Sequence, residues 1–236
     1  MTTPRKPAAK KTAAKKTAKR TTGRVTPKKV VIAPFWLDIA CGQTKGHFDP
    51  ALGGIQNPEG WTGIDRAPTK AADIVHDLNI YPWIGVDGKP IPDNSVDRAR
   101  CSHYIEHIPH DIGHPAGIDG FIAFGNELHR ILKHGAQCEF VAPYYSSMRA
   151  TQDPTHTRSI SEATFYYWNQ DWLKINGLDH YGVTADFDFG WAYNLVDPRW
   201  TTPGREETRD WAIIHYLNVV TDLVVTVTKK EPSNGD

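Results

Sequence analysis

The sequence holds only three cysteines and two methionines, contains no apolar run of 18 residues, and has no acidic residue among its first 29 positions. The cysteines, Cys41, Cys101 and Cys138, show no pairing pattern and lie in or beside predicted buried strands. An odd count, with no apolar secretion core, points to a reducing cytoplasmic setting and to small core side chains, not to a disulfide framework. Without a long apolar run, no membrane-spanning helix is expected. A Gly-x-Gly-x-x-Gly turn is also missing, which ranks a dinucleotide-dependent oxidoreductase last among the readings of this chain.

What is present divides unevenly. Residues 1–29 carry 11 Lys or Arg, and the rest carries 16 basic against 27 acidic residues behind a formal net charge of zero. Residues 9–20, a Lys/Ala/Thr low-complexity stretch, are too charged and too poor in large apolar side chains to fold alone. A disordered basic tail is therefore expected over 1–29, followed by one domain over 30–236, a length suited to a single buried core. Such a tail condenses on nucleic-acid phosphates with a steep salt dependence. A solubility tail, an arm folding onto the acidic domain, or an import segment are the alternatives.

Along the domain, short apolar strands keep ending in acids. LDIACGQTKG (residues 37–46) is a strand, a carboxylate at Asp38 and a glycine turn at Gly42 and Gly46. Twenty-seven residues after Asp38, the run WTGID ends at Asp65, and DIVHDL (73–78) closes on Asp77 and Leu78. In a βαβ unit, an acid at the end of the second strand accepts both ribose hydroxyls of a nucleotide. Residues 93–107 read as a polar turn and a strand ending near Ser102, with a helix starting at Glu106 and His107. Phe121, Phe124, Leu128, Ile131 and Leu132 are spaced by three and four, which predicts a helix over 120–132 ended by Lys133 and Gly135. Residues 138–142 predict a strand stopped by Pro143, 161–172 a helix, and 184–191 and 219–228 strands.

These strings together, LDIACGQTKG, GID (63–65), DIVHDL, DNSVDRARCSHYIEHI (93–108) and ELHRILKHGAQCEFVAPYY (127–145), resemble those of class I S-adenosylmethionine-dependent methyltransferases of the broad type 11 group. The resemblance covers residues 30–145 and implies an α/β, Rossmann-like methyltransferase fold: a mostly parallel seven-stranded sheet with a C-terminal antiparallel hairpin and helices on both faces. It implies S-adenosylmethionine as cofactor, with Asp38, Ala40, Cys41 and Gly42 at its methionine and ribose end. Asp65 would take the ribose hydroxyls, Asp77 and Leu78 the adenine, and Ser102 and His103 would lie beside the sulfonium. The family usually has Gly where this chain has Ala40, so altered cofactor tightness is expected. Residues 46–60, rich in Gly and Pro, predict a short or irregular first crossover where relatives carry a helix.

Methyl transfer asks mainly for alignment, and a base is needed only where the acceptor must lose a proton. His103, Glu106, His107 and, in Gln152-Asp-Pro-Thr-His156, Asp153 and His156 are the candidates. Asp153 also reads as the start of an Asx turn, and Glu106 and His107 as helix-terminus residues. His103, His107, His110 and His114 recur at helical spacing, but Pro109 and Pro115 interrupt any helix there, so no metal is expected. Tyr144 and Tyr145 are read as facing the crevice to stack on a planar acceptor, with Arg158 as a further substrate contact. The long stretch between the strands at 184–191 and 219–228, with Trp191, Pro198, Trp200 and Pro203, is read as an insertion or a loop over the site. The chain lacks the Pro-Pro-aromatic string of exocyclic-amine methylation and the Pro-Cys nucleophile of pyrimidine C5 methylation, which disfavours both DNA chemistries. The leading reading is a methyltransferase of unidentified acceptor whose tail meets nucleic acid. The rival is a non-catalytic nucleic-acid-binding protein with a vestigial cofactor domain.

Overall fold

The alternation that buries Leu37 and Ile39 completely, while turning Trp36 and Asp38 to the other side, places strand β1 (Trp36–Ile39) at the centre of a sheet. The structure, a computed structural model, describes residues 33–49, 54–56, 60–113, 117–197 and 206–232. The basic segment 1–29 and the residues Pro198, Trp200 and Pro203 lie outside these. No helix among the described residues is long and apolar enough to cross a membrane.

β1 pairs in parallel with β4 (Trp61–Asp65) on one side and with β6 (Val96–Ser102) on the other. β5 (Ile74–Val75) extends the sheet beyond β4, and β7 (Leu132–Pro143) pairs in parallel with β6. β9 (Val220–Lys229) then runs antiparallel to both β7 and β8 (Phe187–Leu195). The order is β5-β4-β1-β6-β7-β9-β8, seven strands with β9 alone reversed. This is the mostly parallel, Rossmann-like sheet with a closing antiparallel pair that the resemblance implies.

The strand between 73 and 78 shrinks to two residues, because only Ile74 and Val75 find partners on β4. β7 is longer than its predicted core, since Gln137 and its successors pair along β9. The first crossover contains a small antiparallel pair, β2 (His47–Asp49) with β3 (Gly54–Gln56), instead of a helix, in keeping with its glycines and prolines. The helix expected from Glu106 is a single 3-10 turn over Ile105–His107, and an extended Ile108 ends it just before Pro109. The expected helix over 161–172 is also divided. A 3-10 segment, Glu162–Trp168, stops at the extended Asn169, whose side chain accepts the Trp172 amide and starts helix α3 (Gln170–Asn176).

Helix α1 (Gly120–Ile131) packs Phe121, Phe124, Leu128 and Ile131 into the core. Asp119 caps it by accepting the Phe121 amide at 2.8 Å. Trp168, fully buried, stacks on Phe121 with ring centroids 4.2 Å apart and lies over Gly125. A Cβ at Gly125 would come within 2.2 Å of the indole nitrogen, so only glycine admits this ring. Two short helices complete the described residues, α2 (Arg149–Gln152) after β7 and α4 (Glu206–His215) before β9.

Candidate active site

The carboxyl ends of β1, β4 and β6 meet at a crevice of about 570 Å³. Among the lining residues are Ala40, Gly42, Asp65, Asp77, Leu78 and His103, all expected from the sequence. Open α/β sheets bind ligands at this end of their strands.

The turn after β1 is built by its carboxylates. Gly42, at φ +57, donates its amide to Asp65 Oδ2 at 2.9 Å, while Asp65 Oδ1 accepts the Ala67 amide at 2.8 Å. Each Asp65 oxygen has a second lone pair for another donor. A Cβ on Gly42 would meet nothing within 4 Å, so this surface of the turn is open. Asp77 is held in the same way, its Oδ1 accepting the Asn79 amide at 3.0 Å. Ala40 occupies φ 55, a left-handed conformation costly for any residue with a Cβ.

Three residues expected at the cofactor stand behind the crevice instead. Asp38 is fully buried and accepts the Gly46 amide at 2.8 Å; its other oxygen has no hydrogen bond and lies 3.6 Å from Arg100. Burial pushes its carboxyl up to about 6 against the opposing pull of Arg100. Cys41 is buried against Gly63, where a Cβ would come within 2.8 Å of its sulfur, and burial pushes its thiol up to about 11. Ser102 pairs with Val141 inside the sheet and does not border the crevice. Arg66, Asn79 and Tyr104 line it without having been expected, although all three adjoin residues that were.

His103, just past β6, has a φ of 52. Strained backbone of this kind persists where the surroundings hold it, and here the His103 amide donates to Val141 at 2.7 Å. Its ring lies between two buried carboxylates, Nδ1 3.6 Å from Glu106 and Nε2 4.0 Å from Asp222. Asp222, on β9, also takes Arg149 at 2.8 Å; nothing in its local sequence marks it as a site residue.

Beside the crevice is a second cavity of about 170 Å³, bordered by His103, Glu106, His107, Asp153 and His156. All five candidates for acid–base work therefore gather in one place. The segments that carry them are stitched together: Thr157 donates its amide to Glu106 O at 2.8 Å and its hydroxyl to Ile108 O at 2.7 Å. Asp153 does form a local turn, accepting the Thr155 amide at 2.8 Å and its hydroxyl at 2.7 Å, and these bonds hold its carboxyl below the ordinary range.

Two expected acceptor contacts fall elsewhere. Tyr144 is buried, its hydroxyl donating to Glu162 at 3.1 Å, because the strand's alternation turns its ring inward. Tyr145 alternates outward and is exposed. Arg158 gives Nε and one terminal nitrogen to Ile108 O, at 3.0 and 2.8 Å, and the other to Asp119 at 3.0 Å. It fastens the chain after His156 to the loop before α1.

No protein family matches the chain, and no curated protein matches it in sequence. Solved structures do. A methyltransferase dependent on S-adenosylmethionine from Archaeoglobus fulgidus superposes with a TM-score of 0.47 at 16% identity, over 84% of this chain and 86% of its own. Another such methyltransferase, from Mesorhizobium loti, gives 0.43 at 15% identity over 84% and 91%. The cyclase SpnF gives 0.42 at 16% identity over 84% and 76%. Likeness at this level carries nothing about reaction, which must be argued from the site.

Proposed function

We propose that this protein is an S-adenosylmethionine-dependent methyltransferase. The observation that carries the reading is the crevice itself. It joins an open glycine turn, two carboxylates at strand ends and a strained histidine at the tip of the neighbouring strand. The residues suit an adenosyl group: Asp65 and Asp77 offer acceptors for hydroxyls and an amine, Leu78 an apolar surface, and Gly42 and Ala40 little bulk. When bound, the cofactor would supply an electrophilic methyl group for a lone pair of the acceptor.

The chain's own contribution is placement. Asp65 fixes the turn and keeps lone pairs for the ligand, and Asp38 braces the same turn from below through Gly46. His103, at the mouth shared by the two cavities, is the group positioned to accept a proton from an acceptor. Of the two tyrosines expected to stack on a planar acceptor, Tyr145 is the exposed one. The 11 basic residues of segment 1–29 support a second element of the proposal, that the arm brings the enzyme to a nucleic-acid backbone.

Calorimetry tests the reading directly. S-adenosylmethionine and S-adenosylhomocysteine are each expected to bind at one site per chain, and oxidised nicotinamide dinucleotide not to bind. Binding of neither adenosyl ligand would leave the rival reading, a nucleic-acid-binding protein with a vestigial cofactor domain. Labelled methyl donor incubated with cell extracts would then reveal the class of acceptor.

A further inference from the structure

We propose that Glu106, His107 and His156 form a binding site for one divalent transition-metal ion beside the crevice. One ligand atom from each lies within 4.8 Å of the others, although His156 follows 49 positions after His107. First-shell atoms around zinc stand about 3.3 Å apart, given bond lengths of about 2.0–2.2 Å, so small side-chain rotations would close the set.

The hydrogen bonds around the two imidazoles fix which nitrogen is free. His156 Nδ1 lies 2.9 Å from the carbonyl of Ala150, which only accepts, so Nδ1 carries the proton and Nε2 of the neutral ring a lone pair. His107 Nδ1 lies 3.0 Å from the Thr155 hydroxyl, whose own proton goes to Asp153 at 2.7 Å. That oxygen must therefore accept from His107, leaving Nε2 of His107 free as well. A carbonyl on one ring and a hydroxyl–carboxylate relay on the other are the supports that metal-binding histidines use. The rings meet edge to face, with centroids 4.6 Å apart.

Glu106 supplies an independent observation. Its side chain is 2% exposed, it borders the smaller cavity, and neither carboxylate oxygen has a hydrogen-bond partner. A buried carboxylate with both oxygens empty is costly, and a cation between it and two imidazoles removes that cost. His103 Nδ1, 3.6 Å from Oε1, is too distant for a hydrogen bond.

Two imidazoles and one carboxylate suit Zn²⁺, Co²⁺ or Fe²⁺ and not Mg²⁺ or Ca²⁺, which prefer oxygen. Three protein ligands leave coordination positions open, as reactive metal sites do. His103 and His107 border both cavities, so the ion would stand next to the crevice. No metal is expected from the sequence because Pro109 and Pro115 interrupt any helix that would align its histidines; among the described residues His107 joins the cluster and His103 and His110 do not, since the helix stops after one turn and His156 arrives from the chain after β7. The metal site stands on this geometry alone and does not depend on the methyltransferase reading.

The test uses the full, tag-free chain, freed of metal with a chelator and titrated with Zn²⁺ by calorimetry and with Co²⁺ by visible absorption. One ion per chain is expected, with micromolar or tighter affinity. His156→Ala and Glu106→Gln should each weaken binding at least 100-fold, and Asp153→Asn, which acts only through Thr155, by about 10- to 100-fold. Should Glu106→Gln fail to fold by circular dichroism, His156→Ala decides. Absence of saturable binding by the unaltered chain, or affinity unchanged in His156→Ala, overturns the site. S-adenosylmethionine is titrated into the same sample: metal binding without cofactor binding defeats the proposed function alone, and the reverse defeats the metal site alone.

Discussion

The carboxylate of Asp65 receives the amide of Gly42 at 2.9 Å, joining the end of β4 to the turn that leaves β1. One side chain therefore shapes the turn and faces the crevice. Asp65→Asn keeps the shape and loses the charge, and should weaken S-adenosylmethionine binding by about 2 kcal/mol, roughly 30-fold. Asp65→Ala should cost more, since the amides of Gly42 and Ala67 also lose their acceptor. Calorimetric affinity unchanged in both variants would remove Asp65 from the ribose role.

Ala40 adopts φ 55 two residues before Gly42. Glycine tolerates that conformation without a Cβ clash, so Ala40→Gly should stabilise the fold by about 0.5–1 kcal/mol once the entropy of the unfolded glycine is counted. A higher urea midpoint with unchanged slope is the expected reading; a lower midpoint would show that the methyl group is needed for packing.

Asp38 makes stability depend on pH. Its carboxyl rises from an ordinary 3.8 to about 6 because burial disfavours the charged form. The protonated form thus favours folding, a contribution complete below about pH 4 and lost as pH rises through about 6, worth about 3 kcal/mol in all. Asp38→Asn should abolish that loss. Urea unfolding at pH 4 and pH 7 should show wild type falling relative to the variant, and parallel curves would contradict it.

Gly125→Ala should destabilise the fold by about 2–3 kcal/mol by displacing the Trp168 indole from α1. Thermal melting measures it. A melting temperature equal to wild type would mean that Trp168 can shift at no cost.

Deleting residues 2–29 removes 11 positive charges and no negative ones. Retention on duplex DNA, and its steep fall with salt, should disappear with the arm while cofactor affinity stays the same. Equal retention by the shortened chain would assign DNA binding to the domain or to nothing.

Much of this architecture could be read before folding. The alternation of apolar residues at 37–39 and 61–64 is local, and the three-four spacing from Phe121 to Ile131 is a property of one helix, so local pattern sufficed. The acids at strand ends were legible for the same reason, as Asp65 and Asp77 need only the strand order to meet. That Asp38 stands behind the crevice was not legible, because alternation within β1 sends its side chain beneath the turn, toward Arg100 on another strand. The burial of Tyr144 depends on Glu162, and the pairing of His107 with His156 on the return of the chain after β7. The vacant lone pairs of Glu106 leave no trace in sequence, since only burial makes an ordinary glutamate unusual.

Thr157 and Arg158 tie the loop after His156 to the backbone of Glu106 and Ile108 with six hydrogen bonds, so neither loop can swing aside without dragging the other. The inner wall is in this respect a rigid mould. Whatever enters the smaller cavity meets backbone whose outline is already set on that side.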